Sequence, residues 1–210
     1  MDKRQFLAAA VSAAASVPAL AQSDTSAAPA TPGAPAVAGN TAHGLRGPAL
    51  LTVAGPRVHA NRKPFDPTLD VMMAKQKLTF TAAHAFDYGL LMALPSTTIE
   101  PTLEYDKKVH RLQGPLVTQV LKAAGTNGDR YRLVMRGIDG YSPVIPISHA
   151  ERYRFIVATQ LDGAPLPLGG LGPLWITYDA DKYPDMMAKP IEERFALCPW
   201  GVYFIEMQPT

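Results

Sequence analysis

The stretch Asp139-Gly140-Tyr141-Ser142-Pro143-Val144-Ile145-Pro146, continued by Phe155 to Leu161, Asp162-Gly163 and Gly172-Pro173-Leu174-Trp175, decides the fold. Asp and Gly tolerate the left-handed backbone that a tight hairpin needs, so each Asp-Gly pair is predicted to reverse the chain. Tyr141 to Ile147 carries two prolines, which cannot donate to a ladder, and therefore belongs at a sheet edge. Phe155 to Leu161 and Ala164 to Leu168 are expected to pair over Asp162-Gly163, with Leu174 to Tyr178 as the next strand.

Outward from this stretch the same pattern continues. Tyr131 to Ile138 alternates Leu133 and Met135 with Arg132, Val134 and Arg136, as a strand does. Gly201 to Met207 is apolar on both faces and reads as a deeply buried strand. Leu50 to Ala54, stopped by Gly55-Pro56, Lys77 to Thr81, and Ser96 to Leu103 with its Pro101 interruption complete the expected strands.

Helices are fewer. Asp87 is a predicted N-cap for Tyr88 to Leu94, with Pro95 ending the helix and Leu90, Leu91 and Leu94 facing the core. A second helix places Pro115 in its first turn, carries Leu116, Val117, Val120, Leu121 and Ala124 on one face, and stops at Gly125. A turn follows at Asn127-Gly128. Ser148-His149-Ala150-Glu151 fits a capping box, and Leu69, Val71 and Met72 suggest one helical turn inside the connection from Arg57 to Gln76. Many short strands with two or three short helices make an α+β domain, mainly β.

The first 21 residues read as a signal peptide: Lys3-Arg4 precedes an Ala-rich apolar run that ends at the small-x-small site Ala19-Leu20-Ala21. Lys3-Arg4-Gln5-Phe6-Leu7 resembles a twin-arginine signal with its first arginine replaced, so twin-arginine and general export both remain open. Cleavage near Ala21 would leave an exported or periplasmic protein. It would also lower the formal charge from +2 to +1, too little for an electrostatic footprint on nucleic acid or anionic membranes. Residues 22–47, rich in Ala, Pro, Ser and Thr, are expected to be a disordered tether, leaving 48–210 as a single domain.

The motif order Asp139-Gly140-Tyr141, Ile145-Pro146, Asp162-Gly163, Gly172-Pro173-Leu174-Trp175 resembles the molybdopterin-binding domain of the sulfite oxidase family, particularly its short, single-domain, exported bacterial members. The resemblance extends upstream through Leu94-Pro95, Ser96-Thr97-Thr98 and Gly114-Pro115-Leu116, and downstream to the strand beginning at Trp200. It implies mixed sheets with a few short helices, a molybdopterin cofactor and a cysteine thiolate on molybdenum. By the same resemblance that cysteine should fall within Ile99 to Tyr105. The residues there are Ile99, Glu100, Pro101, Thr102, Leu103, Glu104 and Tyr105, with no thiol and two carboxylates. Standard sulfite-oxidising chemistry is therefore not expected.

Arg132, Arg136, Tyr141, Gly172 and Trp175 are the candidate cofactor-binding residues. Alternation puts Arg132 and Arg136 on one strand face, where they either hold an anion or are solvated. Tyr141 and the Gly172–Trp175 turn are read either as ligand contacts or as packed turn residues. Cys198, the one cysteine, allows no internal disulfide and reads as a small buried hydrophobe. His43, His59, His84, His110 and His149 have no metal-ligand spacing, and neither a Gly-x-Ser-x-Gly elbow nor a phosphate loop is present. Two functions are carried forward: an exported molybdopterin-dependent oxidoreductase-like domain lacking the metal cysteine, and a non-catalytic module binding a small molecule or a periplasmic protein partner. No stable membrane span is expected.

Overall fold

The computed structural model describes residues 44–126, 128 and 130–210. The expected signal peptide at 1–21, most of the expected tether at 22–47 and Asn127 of the expected Asn127-Gly128 turn lie outside the described residues. The backbone N–H groups of Arg46 and Gly47 donate to Asp87 Oδ2 at 2.7 and 2.9 Å.

In chain order the elements are β1 (Leu51–Ala54), α1 (Val71–Lys75), β2 (Ala83–Phe86), α2 (Tyr88–Met92), β3 (Ser96–Ile99), β4 (Leu112–Pro115), α3 (Val117–Ala123), β5 (Tyr131–Gly137), β6 (Val144–Pro146) and α4 (Ile147–Arg152). The chain continues with β7 (Ile156–Ala158), β8 (Gln160–Leu161), β9 (Ala164–Pro165), β10 (Trp175–Thr177), a 3-10 turn at Ala180–Lys182, α5 (Pro184–Met187), α6 (Ile191–Arg194) and β11 (Val202–Pro209). The domain is α+β and mainly sheet, as expected. Its described helices number six rather than two or three, and the longest has seven residues.

Three sheets organise it. The largest has the order β2-β1-β11-β5-β6, a second pairs β10 with β7, and a third runs β3-β4-β8-β9. β1 runs parallel to β11, while the other pairings are antiparallel. β11 occupies the middle of the largest sheet, which is why its sequence is apolar on both faces. One face, with Leu51, Val53, Leu133, Met135, Ile145, Ile205 and Met207, belongs to the main core, which also takes in α3 and β10. The other face buries Ala54, Ala83 and Phe204 beneath Met73, Leu78 and Phe80 in a smaller cluster. Proline-bearing β6 lies at the sheet edge, as its missing donors require.

The two Asp-Gly turns form as read. Asp162 (φ 49°) and Gly163 (φ 83°) both take the left-handed conformation between β8 and β9, the geometry of a tight hairpin. Gly114 serves a different need: a Cβ there would lie 1.9 Å from the Val157 carbonyl oxygen, because β4 packs directly on β7.

Several expectations need correction. Lys77 to Thr81 is not a strand. Leu78 and Phe80 are buried as the alternation suggested, but the segment has no ladder partner; Lys77 turns at φ 58° and pairing begins only at Ala83. Pro115 is the last residue of β4, paired with Ser96, so it does not enter the helix. α3 starts at Val117, and the Leu116 N–H donates to Gln119 Oε1. Ser148 lies inside α4, whose N-cap is Pro146, so the capping box does not form. α1 exists, but Leu69, Val71 and Met72 point to solvent and Met73 is its buried residue. β3 stops at Ile99, short of Leu103. α5 and α6, which the sequence reading missed, begin at Pro184, a first-turn proline, and after Pro190.

Candidate functional site

The chain from Ile99 to His110 leaves β3 and folds back on itself. An isolated bridge pairs Thr102 with Val109, and the Leu103 N–H donates to the Lys108 carbonyl at 2.9 Å. Ile99 and Leu103 anchor the loop in the core, whereas Glu100 and Tyr105 are exposed. The far wall follows β10. β10 ends at Thr177, Asp179 is the N-cap of the 3-10 turn that follows, and that turn brings Asp181 and Lys182 to the rim.

Between these walls lies a cleft of about 410 Å³ lined by Thr98, Ile99, Glu100, Asp179, Asp181 and Lys182. Two carboxylates tie it together across the fold. Asp181 Oδ2 accepts from the Thr102 N–H at 2.7 Å, and Asp179 Oδ2 accepts more weakly from the Glu100 N–H at 3.4 Å. Lys182 Nζ is 2.9 Å from Asp179 Oδ2, and Arg194 Nη1 is 3.5 Å from Asp181 Oδ1. Asp179 is only 5% exposed, yet its Oδ1 is buried with no hydrogen-bond partner. Although Asp179 is the N-cap of the 3-10 turn, its side chain makes no cap bond. Its Oδ2 is instead shared by Lys182 and the Glu100 N–H.

Behind the cleft sits Cys198, 5% exposed. Burial pushes its thiol well above the usual range, and the nearby Glu104 carboxylate adds to the shift. Glu104 is itself raised, first by desolvation. Desolvation, then the Glu104 charge, pushes Tyr105 up to about 12. The Tyr105 ring lies 6.4 Å from that of Trp175 between centroids.

The sequence-derived candidates divide into two groups. Tyr141, Gly172 and Trp175 all attach to the segment before β11. The Tyr141 hydroxyl donates to the Ala196 carbonyl, the Gly201 N–H donates to Leu171 beside Gly172, and Trp175 Nε1 donates to the Cys198 carbonyl at 3.1 Å. Trp175 is 1% exposed and packed in the core, and a Cβ at Gly172 would sit 2.4 Å from the Leu166 carbonyl oxygen. Arg132 and Arg136 share a face of β5, as alternation requires. Arg132 Nε donates to Gln208 Oε1 at 3.2 Å, and Arg136 Nε is buried without a partner. None of the five lines the cleft. Asp179 and Asp181, which do, carried no sequence signal, since their partners at Glu100 and Thr102 are 79 residues away.

The residues present do not fit a molybdenum dithiolene group. A metal thiolate needs an accessible, ionised sulfur, whereas Cys198 is buried and held protonated. The cleft at the Ile99–Tyr105 segment presents three carboxylates to one lysine, the wrong sign for a pterin phosphate. Among the described residues no group of three or more His, Cys, Asp or Glu side chains is arranged to hold a metal ion, and no helix is long and apolar enough to cross a membrane.

No family model matches this sequence, and no curated protein matches it. Among solved structures, the sulfane dehydrogenase SoxCD from Paracoccus pantotrophus is similar at 12% identity and a TM-score of 0.46, over 76% of this chain and 38% of that one. The chain thus spans well under half the length of that protein.

Proposed function

We propose that this chain is an exported, non-catalytic binding module: a sulfite-oxidase-type domain that has lost molybdenum chemistry and takes a small polar ligand in the cleft between β3 and the Asp179–Lys182 turn. The observation that carries this reading is the character of that cleft. Where the family resemblance expects a thiolate, Glu100 and the buried Asp179 line the same cleft, and the sulfur of Cys198 is buried with its thiol raised. Export rests on the residues from Lys3 to Ala21.

A second reading, a molybdopterin-dependent oxidoreductase, is favoured by the motif series from Asp139 to Trp175. It would assign Arg132, Arg136, Tyr141, Gly172 and Trp175 to the cofactor.

The two readings differ in where ligands land. Backbone amide shifts of the full chain, titrated with a panel of small polar molecules of both charges, should move at Thr98 to Glu100 and Asp179 to Lys182. Shifts centred instead on Arg132 and Arg136, caused by anions, would overturn the binding-module reading in favour of the second.

A further inference from the structure

We infer that the outer edge of β3 docks an extended peptide segment of a partner protein, which joins the β3-β4-β8-β9 sheet as a fifth strand and carries a basic residue abreast of Glu100. The inference goes beyond the cleft ligand proposed above and does not depend on it.

An antiparallel strand turns the N–H and C=O groups of alternate residues to opposite neighbours. On β4 the Arg111 and Gln113 carbonyls accept from the Asp162 and Thr159 N–H groups, on the side of β8. Leu112 and Gly114 therefore serve β3, where their partners are Ile99 and Thr97. Ser96, Thr98 and Glu100 are left to direct their backbone groups away from the sheet. The Glu100 N–H confirms that parity, since it meets Asp179 Oδ2 on the far side at 3.4 Å. Ser96 and Thr98 are exposed, and β3 has β4 as its one neighbouring strand.

An open edge is a template for pairing, and proteins blunt the edges they do not use. The other edges of the three sheets are blunted or closed. Asn61 covers β2 by exchanging two hydrogen bonds with the Ala85 backbone, at 2.6 and 2.9 Å. Pro146 on β6 and Pro165 on β9 have no N–H to offer. Isolated bridges flank β7 with Leu116 and β10 with Trp200. β3, by contrast, holds no proline, lysine or register shift between Ser96 and Ile99. Just beyond it, the Thr102 N–H donates to Asp181 Oδ2 at 2.7 Å, as it would to the carbonyl of an added strand. Ser96 and Thr98 have no such substitute.

Charge selects the occupant. Asp179 pairs with Lys182 and Asp181 with Arg194. Exposed Glu100 remains, among the described residues, as the charge at this edge outside any ion pair. A second copy of the chain would bring the same carboxylate, whereas a basic segment complements it. Backbone pairing then supplies affinity and the residue abreast of Glu100 supplies selectivity.

The test is isothermal titration of the full chain with Ac-Lys-Thr-Val-Thr-Val-Lys-NH2, with the same peptide bearing Glu in place of both Lys, and with Ac-Lys-Pro-Pro-Pro-Pro-Lys-NH2. The last keeps the charge but has no N–H between its lysines. Saturable binding of the first peptide is expected, with amide shifts centred on Ser96 and Thr98. The Glu peptide should bind roughly two- to fivefold more weakly, a difference that Glu100→Gln abolishes. The proline peptide should bind at least about tenfold more weakly. Thr98→Pro removes an N–H that β4 does not use and should weaken the first peptide about fivefold, whereas Thr98→Val should not.

Absence of saturable binding overturns the inference, and so does equal binding of the proline peptide, which keeps the test decisive should Thr98→Pro fail to fold. Equal binding of the Glu peptide overturns the basic partner. Dimerisation in sedimentation that Thr98→Pro abolishes, without peptide binding, assigns the edge to a second copy instead. If peptides fail while a small polar molecule shifts the cleft amides, the edge inference falls and the cleft reading stands; peptide binding without any small-molecule binding does the reverse.

Discussion

Cys198 is inert because of where it lies. Burial raises its thiol above the ordinary value, and the Glu104 carboxylate pushes in the same direction, so the nucleophilic thiolate is scarce. Iodoacetamide at pH 8 should therefore leave the folded protein unlabelled and modify one site once it is unfolded; stoichiometric labelling of the native protein would refute this. His110 is the opposite case, an imidazole held between Asp106 Oδ2 at 3.0 Å and Asp162 Oδ2 at 2.7 Å. Hydrogen bonding to Asp106, then to Asp162, raises its pKa above 6.5, and the same bonds lower both carboxylates. The histidine contribution is complete below 6.5 and disappears as pH rises through the raised value. The aspartate contributions exist above the ordinary carboxylate value and disappear on acidification through the lowered ones. The Tm advantage of wild type over His110→Gln should accordingly shrink from pH 6 to pH 9, and an advantage independent of pH would contradict the pairing.

The elements show which local signals survive packing. Asp87 was legible as a cap because capping is local: Oδ1 accepts from the Leu90 N–H at 2.8 Å. The hairpin at Asp162-Gly163 was legible because its left-handed pair leaves few residue choices. Lys77 to Thr81 misled because alternation reports burial, and Leu78 and Phe80 reach the smaller core cluster without a neighbouring strand to bond. Pro115 misled because a proline suits a helix's first turn and equally a strand's last residue. The cleft was illegible, since Asp179 and Asp181 meet Glu100 and Thr102 only once β10 is laid beside the end of β3. Gly114 belongs to this scale as well. An alanine there would drive its Cβ into the Val157 carbonyl oxygen, so Gly114→Ala should cost at least about 3 kcal/mol in urea unfolding. A loss under about 1 kcal/mol would mean that β4 and β7 are not packed this closely.

At the scale of the whole molecule, the central parallel pair of β1 and β11 joins the two ends of the described domain and could not be read from either segment alone. The same long-range closure draws Trp175 into the core, where Tyr105, Phe195 and the Cys198 carbonyl surround it. Trp175→Ala should destabilise the protein by about 3–5 kcal/mol, as expected of a core anchor, and a near-neutral effect in thermal or urea unfolding would return it to the list of ligand contacts. The residues Tyr141, Gly172 and Trp175 of the motif series are engaged in turns and packing and do not line the cleft in which the binding-module proposal places its ligand. The most direct test of the non-catalytic reading is molybdenum and pterin quantification on the protein purified natively from cells that synthesise the cofactor. The account predicts neither molybdenum nor pterin above background; both at a stoichiometry near one per chain would contradict it.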